Sequence, residues 1–457
     1  MGRLFGTDGV RGVGNRELTP ELAFRLGRCA AAVLGGGTSG EPGGRAVLGR
    51  DTRRSGDVLE AALAAGIASC GVDVLRVGVV PTPGVAYLTR ALDASFGAMI
   101  SASHNPAEDN GIKFFAQGGY KLPDDAEAKI EALLLDESGK RACSADDGLP
   151  RPTGAGIGRI LDAVREVQRY ARFLTESAGV RLDGMRIVVD CAHGAAFRLA
   201  PAVLRDLGAE VIALCNEPDG MNINVGCGST HPELMQAAVR EHRADAGLAH
   251  DGDADRVIMA DERGQLVDGD VILAICGLHL AAQDRLPGRA VAATVYSNLG
   301  LKRTLERAGV AVVETPPGDR AVLEALLSHG LVLGGEQSGH VIFLGHNTTG
   351  DGLLTGLQVL RIMQETGRAL SDLASQMTRL PQVLTKVPVR DKEAFSENAR
   401  VQEVIRREEQ QLGAEGRLLV RPSGTEPVVR IMGEGTDEAR VRAAVERIAV
   451  VIAAELG

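Results

Sequence analysis

Short apolar runs recur along the chain, and each gives way to a polar or glycine-containing loop. They are AVLGRD at 46–51, GAMISASHN at 97–105, RIVVDCAHG at 186–194, ADAGLAHDGDADR at 244–256, AVAATVYSN at 290–298 and LVLGGEQSGH at 331–340. Between them lie stretches of helical spacing. One begins at Thr19-Pro20, a good N-cap and N1 pair, and places Leu22, Leu26 and Cys29 on one face. This alternation of strand, loop and helix predicts α/β domains with mixed, mostly parallel sheets, in which ligands gather at the carboxyl ends of strands. The tail departs from it: EGRLLVRPSGTEPVVRIMGEG at 415–435 reads as two strands around a turn, followed by a helix with Val441, Val445, Ile448 and Ile452 on one face. That is a smaller C-terminal α+β domain. Boundaries near 155, 257 and 372 divide the chain into 1–155, 156–257, 258–372 and 373–457.

Length agrees that one core is too few, since 457 residues suggest about three domains. Fifty basic residues stand against sixty acidic ones, a net charge of −10, with 3% aromatics and no Trp. A nucleic-acid binder needs a basic stripe and stacking rings, so that class is excluded. Seven scattered cysteines without a C-x-x-C pair fit a reducing cytosol better than a disulfide framework or a zinc site. No apolar run approaches the roughly 18 residues of a spanning helix, and the first residues lack a signal h-region, so a cytoplasmic protein is expected. GGGTSG at 35–40 matches G-x-G-x-x-G but follows a helix rather than a strand, so it reads as a surface loop.

Four loops carry chemistry. In HDGDADR, Asp251, Asp253 and Asp255 fall two apart after an apolar approach. Carboxylates about 4 Å apart repel by roughly 4 kcal/mol per pair at an effective dielectric near 20, so the loop is either a solvated acidic turn or the seat of a cation. Oxygen-only ligands favour Mg²⁺ or Ca²⁺ over zinc. An EF-hand is excluded because Arg256 stands where that loop needs glycine and VIMADE reads as a strand. Three carboxylates leave a hard cation short of ligands, and a phosphate oxygen is the usual complement. In SASHNP, Ser103 follows an apolar strand and is flanked by His104, which suits a nucleophile or phosphate carrier as well as an ordinary Ser/Asn turn. RPSGTEP at 421–427 sets Arg421, two hydroxyls and Gly424 in one turn, either a plain loop or an anion nest with a guanidinium fork. GGEQSGH at 334–340 offers Glu336, Ser338 and His340, a glycine-rich turn or a grip on vicinal sugar hydroxyls.

Taken in order, SASHNP, DGDADR, GEQSGH and RPSGTEP resemble the α-D-phosphohexomutase family over nearly the whole chain. The opening FGTDGVRG and Gln337 are similar to its amino-sugar branch, whereas the phosphomannomutase/phosphoglucomutase branch typically opens on a YDIRG-like sequence and has Met in the sugar loop. The resemblance implies three α/β domains and a smaller C-terminal domain around a central cleft. It implies that Ser103 is a phosphoserine whose phosphate joins Asp251, Asp253 and Asp255 around one Mg²⁺ per subunit. It implies that Glu336 and Ser338 hold sugar hydroxyls, and that Arg421, Ser423, Gly424, Thr425 and Arg430 grip the phosphate not being transferred. Arg11, Lys113 and His340 match positions near the reacting oxygen, with Lys113 or His104 as proton shuttle. GRDTRRSG at 49–56 is family-like and expected to support the cleft; TPPGDR at 315–320 is the one unusual loop. A glucosamine 1,6-bisphosphate intermediate, a phosphosugar substrate, a homodimer and a hinge near 372 that lets the intermediate turn around are further implications.

Overall fold

The computed structural model describes residues 4–6, 8–36, 43–134, 148–423 and 426–457. They form two compact units, one of residues 1–295 with 313–374 and one of residues 296–312 with 375–457.

The first unit begins with a six-stranded mixed sheet of β1 (Val10–Val13), β2 (Arg45–Arg50), β3 (Asp73–Val79), β4 (Phe96–Ile100), β5 (Asp109–Ala116) and β6 (Ile160–Asp162), in the order β1-β5-β4-β2-β3-β6. β2 runs parallel to both β3 and β4, while β5 is antiparallel to β4 and β1. The helix Pro20–Leu34 is capped by Thr19, whose Oγ1 accepts from the Leu22 amide at 3.2 Å. It buries the expected Leu22, Leu26 and Cys29 in the core with Leu48, Leu63, Phe96 and Ile112.

A five-stranded sheet follows, of β7 (Arg186–Asp190), β8 (Glu210–Leu214), β9 (Ala246–His250), β10 (Val257–Asp261) and β11 (Leu266–Val267), in the order β11-β10-β9-β7-β8. β7 is parallel to β8 and β9, and β9 turns back into β10 with His250 opposite Val257, so residues 251–256 form a hairpin loop. A four-stranded sheet contains β12 (Ala290–Thr294), β13 (Ala311–Thr315), β14 (Leu333–Gly335) and β15 (Val341–Phe343), in the order β13-β12-β14-β15. Gly335 pairs with Val341, which makes 336–340 the β14–β15 loop.

In the second unit, β16 (Gln382–Pro388), β17 (Gly416–Pro422) and β18 (Val428–Gly435) form an antiparallel sheet in the order β16-β18-β17. The helix Glu438–Leu456 packs Val441, Val445, Ile448 and Ile452 into the core with Val429, Ile431, Val401 and Ile405. The expected mixed α/β sheets and small α+β tail are thus observed. Residues 37–40 of GGGTSG lie outside the described residues.

Candidate active site

The site is built at strand ends. β4 is buried at every position, and at its carboxyl end the chain turns through Ser101–Asn105. Ser103 adopts φ 52°, a left-handed conformation costing a non-glycine residue of order 1–3 kcal/mol. The fully buried Arg53, at the end of the β2 loop, compensates. Its Nη2 donates to the carbonyls of Ser103 and Asn105, both at 2.8 Å, and Nη1 donates to those of Asp109 at 2.9 Å and Pro106. Nε donates to Asp51 at 2.9 Å. Ser101 Oγ donates to Asp51 at 2.6 Å and accepts from the Ser103 amide at 2.9 Å. Asn224 Nδ2 adds donors to the same two carbonyls, at 2.9 Å for Ser103 and 3.1 Å for Asn105. The Ser103 loop is therefore held by a preformed network rather than by the turn alone.

Ser103 Oγ donates to Asp251 Oδ2 at 2.6 Å. Asp251, Asp253 and Asp255 are all buried, and one carboxylate oxygen from each lies within 4.8 Å of the others. Gly252 permits the approach, since a Cβ there would stand 2.6 Å from the Ser103 carbonyl oxygen. Burial, then the charges of Asp255 and Asp253, push Asp251 well above the ordinary carboxylate range. Burial and Asp253 raise Asp255. Asp253 goes the other way: burial would raise it, but Lys113 and the Thr82 hydroxyl at 2.6 Å hold it near 2. Asp253 Oδ1 and Asp255 Oδ1 are buried without a hydrogen-bond partner among the described residues. Three buried carboxylates that bring one oxygen each together, two of them with an oxygen left unbonded, fit Mg²⁺ and leave coordination positions for phosphate or water.

Lys113, on β5, lies 3.0 Å from Asp253 and 2.8 Å from Asp8. Burial lowers its pKa, but Asp253, Asp8 and Asp255 outweigh it and raise it above the usual lysine value, so it is a cation in the metal-free chain. Lys113→Met should leave buried carboxylates unpaired and destabilise the metal-free chain by about 3–5 kcal/mol, measured by urea unfolding with chelator; an unchanged midpoint would refute this pairing. His104 sits with Nδ1 3.4 Å from Ser103 Oγ and 3.3 Å from Arg256 Nη1. Guanidinium only donates, so Nδ1 is the acceptor and Nε2 carries the proton. Burial, Arg256 and Arg11 bring its pKa down to about 4, leaving it neutral at pH 7.

His250, at the end of β9, is also buried with a pKa near 4, lowered by burial, and its Nδ1 lies 3.1 Å from the Arg256 carbonyl. Because the folded value is depressed, the unfolded chain binds the extra proton below its ordinary value near 6.5, and stability falls as pH drops from 6.5 toward 4. Between pH 7 and pH 5 this group should remove about 2 kcal/mol. Unfolding at both pH values should show that loss shrinking in His250→Asn, and an equal loss in both proteins would exclude His250 as its source.

A cavity of about 520 Å³ opens beside these groups, lined by Asp8, Arg11, His104, Asp255, Arg256, Asp319, Glu336 and His340 among others. Arg11 reaches Asn105 Oδ1 at 3.3 Å and pairs with Asp8. Glu336 Oε1 accepts from the Gly318 amide at 3.0 Å, which ties the β14–β15 loop to TPPGDR. His340 is buried with both ring nitrogens unpartnered among the described residues, as suits a group awaiting a ligand. Ser338 is exposed at the tip of the β14–β15 turn and does not line the cavity.

Arg421, Ser423 and Arg430 belong to the second unit. Arg421 and Arg430 are directly opposed on β17 and β18, a like-charge pair that costs stability unless an anion joins it. Arg421 Nε donates to the Tyr296 hydroxyl at 2.8 Å with its guanidinium 4.7 Å from that ring's centroid, and Arg430 pairs with Glu426 at 2.7 Å. Ser423 Oγ accepts from the Glu426 amide at 3.3 Å. Gly424 and Thr425 lie outside the described residues.

Sequence reasoning did not single out Asp8, Thr82, Asn224, Arg256 or Tyr296. Asp8 and Arg256 lie inside the quoted FGTDGVRG and HDGDADR and carry the charge that could have marked them, whereas Thr82, Asn224 and Tyr296 carry no local signal. The structure also gathers two of the scattered cysteines, Cys215 and Cys227, around His193.

Family profiles cover most of the chain: phosphoglucomutase/phosphomannomutase alpha/beta/alpha domains I, II and III match residues 2–141, 168–264 and 268–380, and the C-terminal domain matches 384–451. The chain belongs to this family of phosphohexomutase enzymes. Its similarity narrows further: it is 56% identical over 457 residues to the phosphoglucosamine mutase of Symbiobacterium thermophilum, covering 100% of both chains. It is 56% identical over 453 residues to that of Desulforudis audaxviator, covering 99% of this chain and 98% of the relative. A phosphoglucomutase/phosphomannomutase family protein of Burkholderia thailandensis shares the fold with a TM-score of 0.81 at 24% identity, covering 100% of this chain and 99% of that one.

Proposed function

We propose that this chain interconverts glucosamine 6-phosphate and glucosamine 1-phosphate through phosphorylated Ser103. The observation that carries the reading is Ser103 Oγ, held 2.6 Å from Asp251 in a strained, clamped loop facing three buried carboxylates. Mg²⁺ held by Asp251, Asp253, Asp255 and the Ser103 phosphate would neutralise charge on the transferring group. The phosphoserine donates its phosphoryl group to O1 of the sugar phosphate, giving glucosamine 1,6-bisphosphate. That intermediate turns around, and its 6-phosphate returns to Ser103, leaving glucosamine 1-phosphate.

Lys113, beside Asp253, or His104, beside Ser103, takes the proton that the accepting sugar hydroxyl gives up as the phosphoryl group arrives. Arg11 and His340 stand by the reacting oxygen, Glu336 and Ser338 orient sugar hydroxyls, and Arg421, Ser423, Gly424, Thr425 and Arg430 hold the idle phosphate. Positioning and charge neutralisation supply most of the catalysis in phosphoryl transfer. On this reading the enzyme acts as a cytoplasmic homodimer, and its product feeds nucleotide-sugar and peptidoglycan-precursor synthesis.

The test is kcat/KM for glucosamine 6-phosphate and for glucose 6-phosphate, with Mg²⁺ and mass-verified phosphoserine. Strong preference for the amino sugar is expected. Equal or inverted preference would assign a phosphomannomutase/phosphoglucomutase activity, and release of inorganic phosphate without isomerisation would assign a phosphatase.

A further inference from the structure

A cluster behind the Ser103 loop has no part in the phosphosugar chemistry. One ring nitrogen of His193 and the Sγ atoms of Cys215 and Cys227 lie within 4.8 Å of one another. His193 follows β7, Cys215 follows β8, and Cys227 sits in the long loop between β8 and β9. Three separate positions at the ends of one sheet thus converge on a point. His193 Nδ1 is shielded from solvent and has no hydrogen-bond partner among the described residues. The backbone is bent to bring the groups together, with His193 at φ 50° and Cys215 at φ 48°, both left-handed.

The surroundings are those of a metal centre. Asp190 accepts from the amides of Ala192 at 2.9 Å and Gly228 at 2.8 Å, and also bonds to Cys215, so one carboxylate orients all three ligand-bearing segments. Zinc–sulfur bonds of about 2.3 Å and zinc–nitrogen bonds of about 2.0–2.1 Å put tetrahedral ligands about 3.3–3.8 Å apart, which the cluster reaches by contracting about 1 Å. Imidazole with two thiolates selects a borderline-soft cation, unlike the all-oxygen aspartate loop.

We propose that His193, Cys215 and Cys227 form a second metal site, specific for a thiophilic divalent cation such as Zn²⁺, with solvent as fourth ligand. The ion would tie together segments that support the nucleophile loop. The His193 carbonyl accepts from Thr52 Oγ1 at 2.6 Å, the Ala195 amide donates to the Gly252 carbonyl at 2.7 Å, and Asn224, three residues before Cys227, holds Ser103. Its role is therefore positional.

Cobalt(II) titration of the reduced, chelator-treated full chain tests this. Cobalt can also enter the aspartate loop, but only cysteine ligands give sulfur-to-cobalt charge-transfer absorption, so the band reports cysteine ligation and the serine variants assign it to this site. One equivalent per chain should produce it, Zn²⁺ should bleach it, Cys215→Ser and Cys227→Ser should each abolish it, and His193→Asn should weaken cobalt binding at least tenfold. The wild-type titration stands by itself should a variant fail to fold. Absence of the band at stoichiometric cobalt, a band unmoved by both serine variants, or a native Cys215–Cys227 disulfide whose reduced form takes up no cobalt would each overturn the proposal.

Discussion

Ser103→Ala should lower mutase turnover by on the order of 10⁴-fold or more, because the group that carries the phosphoryl between half-reactions is gone. The fold should survive. Ser103 sits at φ 52° through clamps on its carbonyl and amide, from Arg53, Asn224 and Ser101, none of which uses the hydroxyl. What is lost is the 2.6 Å bond to Asp251, and removing a hydrogen bond to a buried carboxylate costs about 1–3 kcal/mol. Steady-state rates with glucosamine 6-phosphate and added bisphosphate, alongside urea unfolding, separate the two effects. Turnover within tenfold of wild type would overturn the phosphoserine mechanism, while collapse of the fold would refute the backbone clamp.

The second large effect has opposite signs in activity and stability. Asp251→Asn should reduce Mg²⁺-dependent turnover by about 10³-fold, since a neutral amide is a poor substitute for one of three carboxylate ligands and leaves phosphoryl charge uncompensated. Yet the metal-free chain should gain about 1–3 kcal/mol at pH 7. Burial, Asp255 and Asp253 raise the folded pKa of Asp251. A raised carboxylate binds its proton more tightly when folded, so its ionisation lowers stability as pH climbs from the ordinary value through the raised one. Asparagine removes that charge and can still bond Ser103. Urea midpoints with chelator, compared with rates in Mg²⁺, decide it. A variant as active as wild type, or less stable without metal, would contradict the crowding argument.

The alternation that predicted α/β domains was legible because buried parallel strands must be apolar at consecutive positions. β4, buried throughout, and β9 stand where GAMI and AGLAH foretold. The aspartate triplet was legible for a related reason, since carboxylates two apart on a tight hairpin have nowhere to diverge. Arg53 was visible only as part of a motif; that its guanidinium is wholly buried and bonded to four carbonyls depends on a loop 50 to 56 residues away.

By itself the sequence determined the elements, the family and the chemistry of each loop, because these depend on residue type and on neighbours within a few positions. Tertiary structure alone decided the charge states and the company each group keeps. Lys113 is a cation in the metal-free chain because it meets Asp8 and Asp253 across the fold, and His104 became a neutral imidazole under Arg256. His193, Cys215 and Cys227, twelve to thirty-four residues apart, met at one point. Proton affinity and ligation are set by fields and distances in space, and those fall off over a few ångströms that chain separation does not encode.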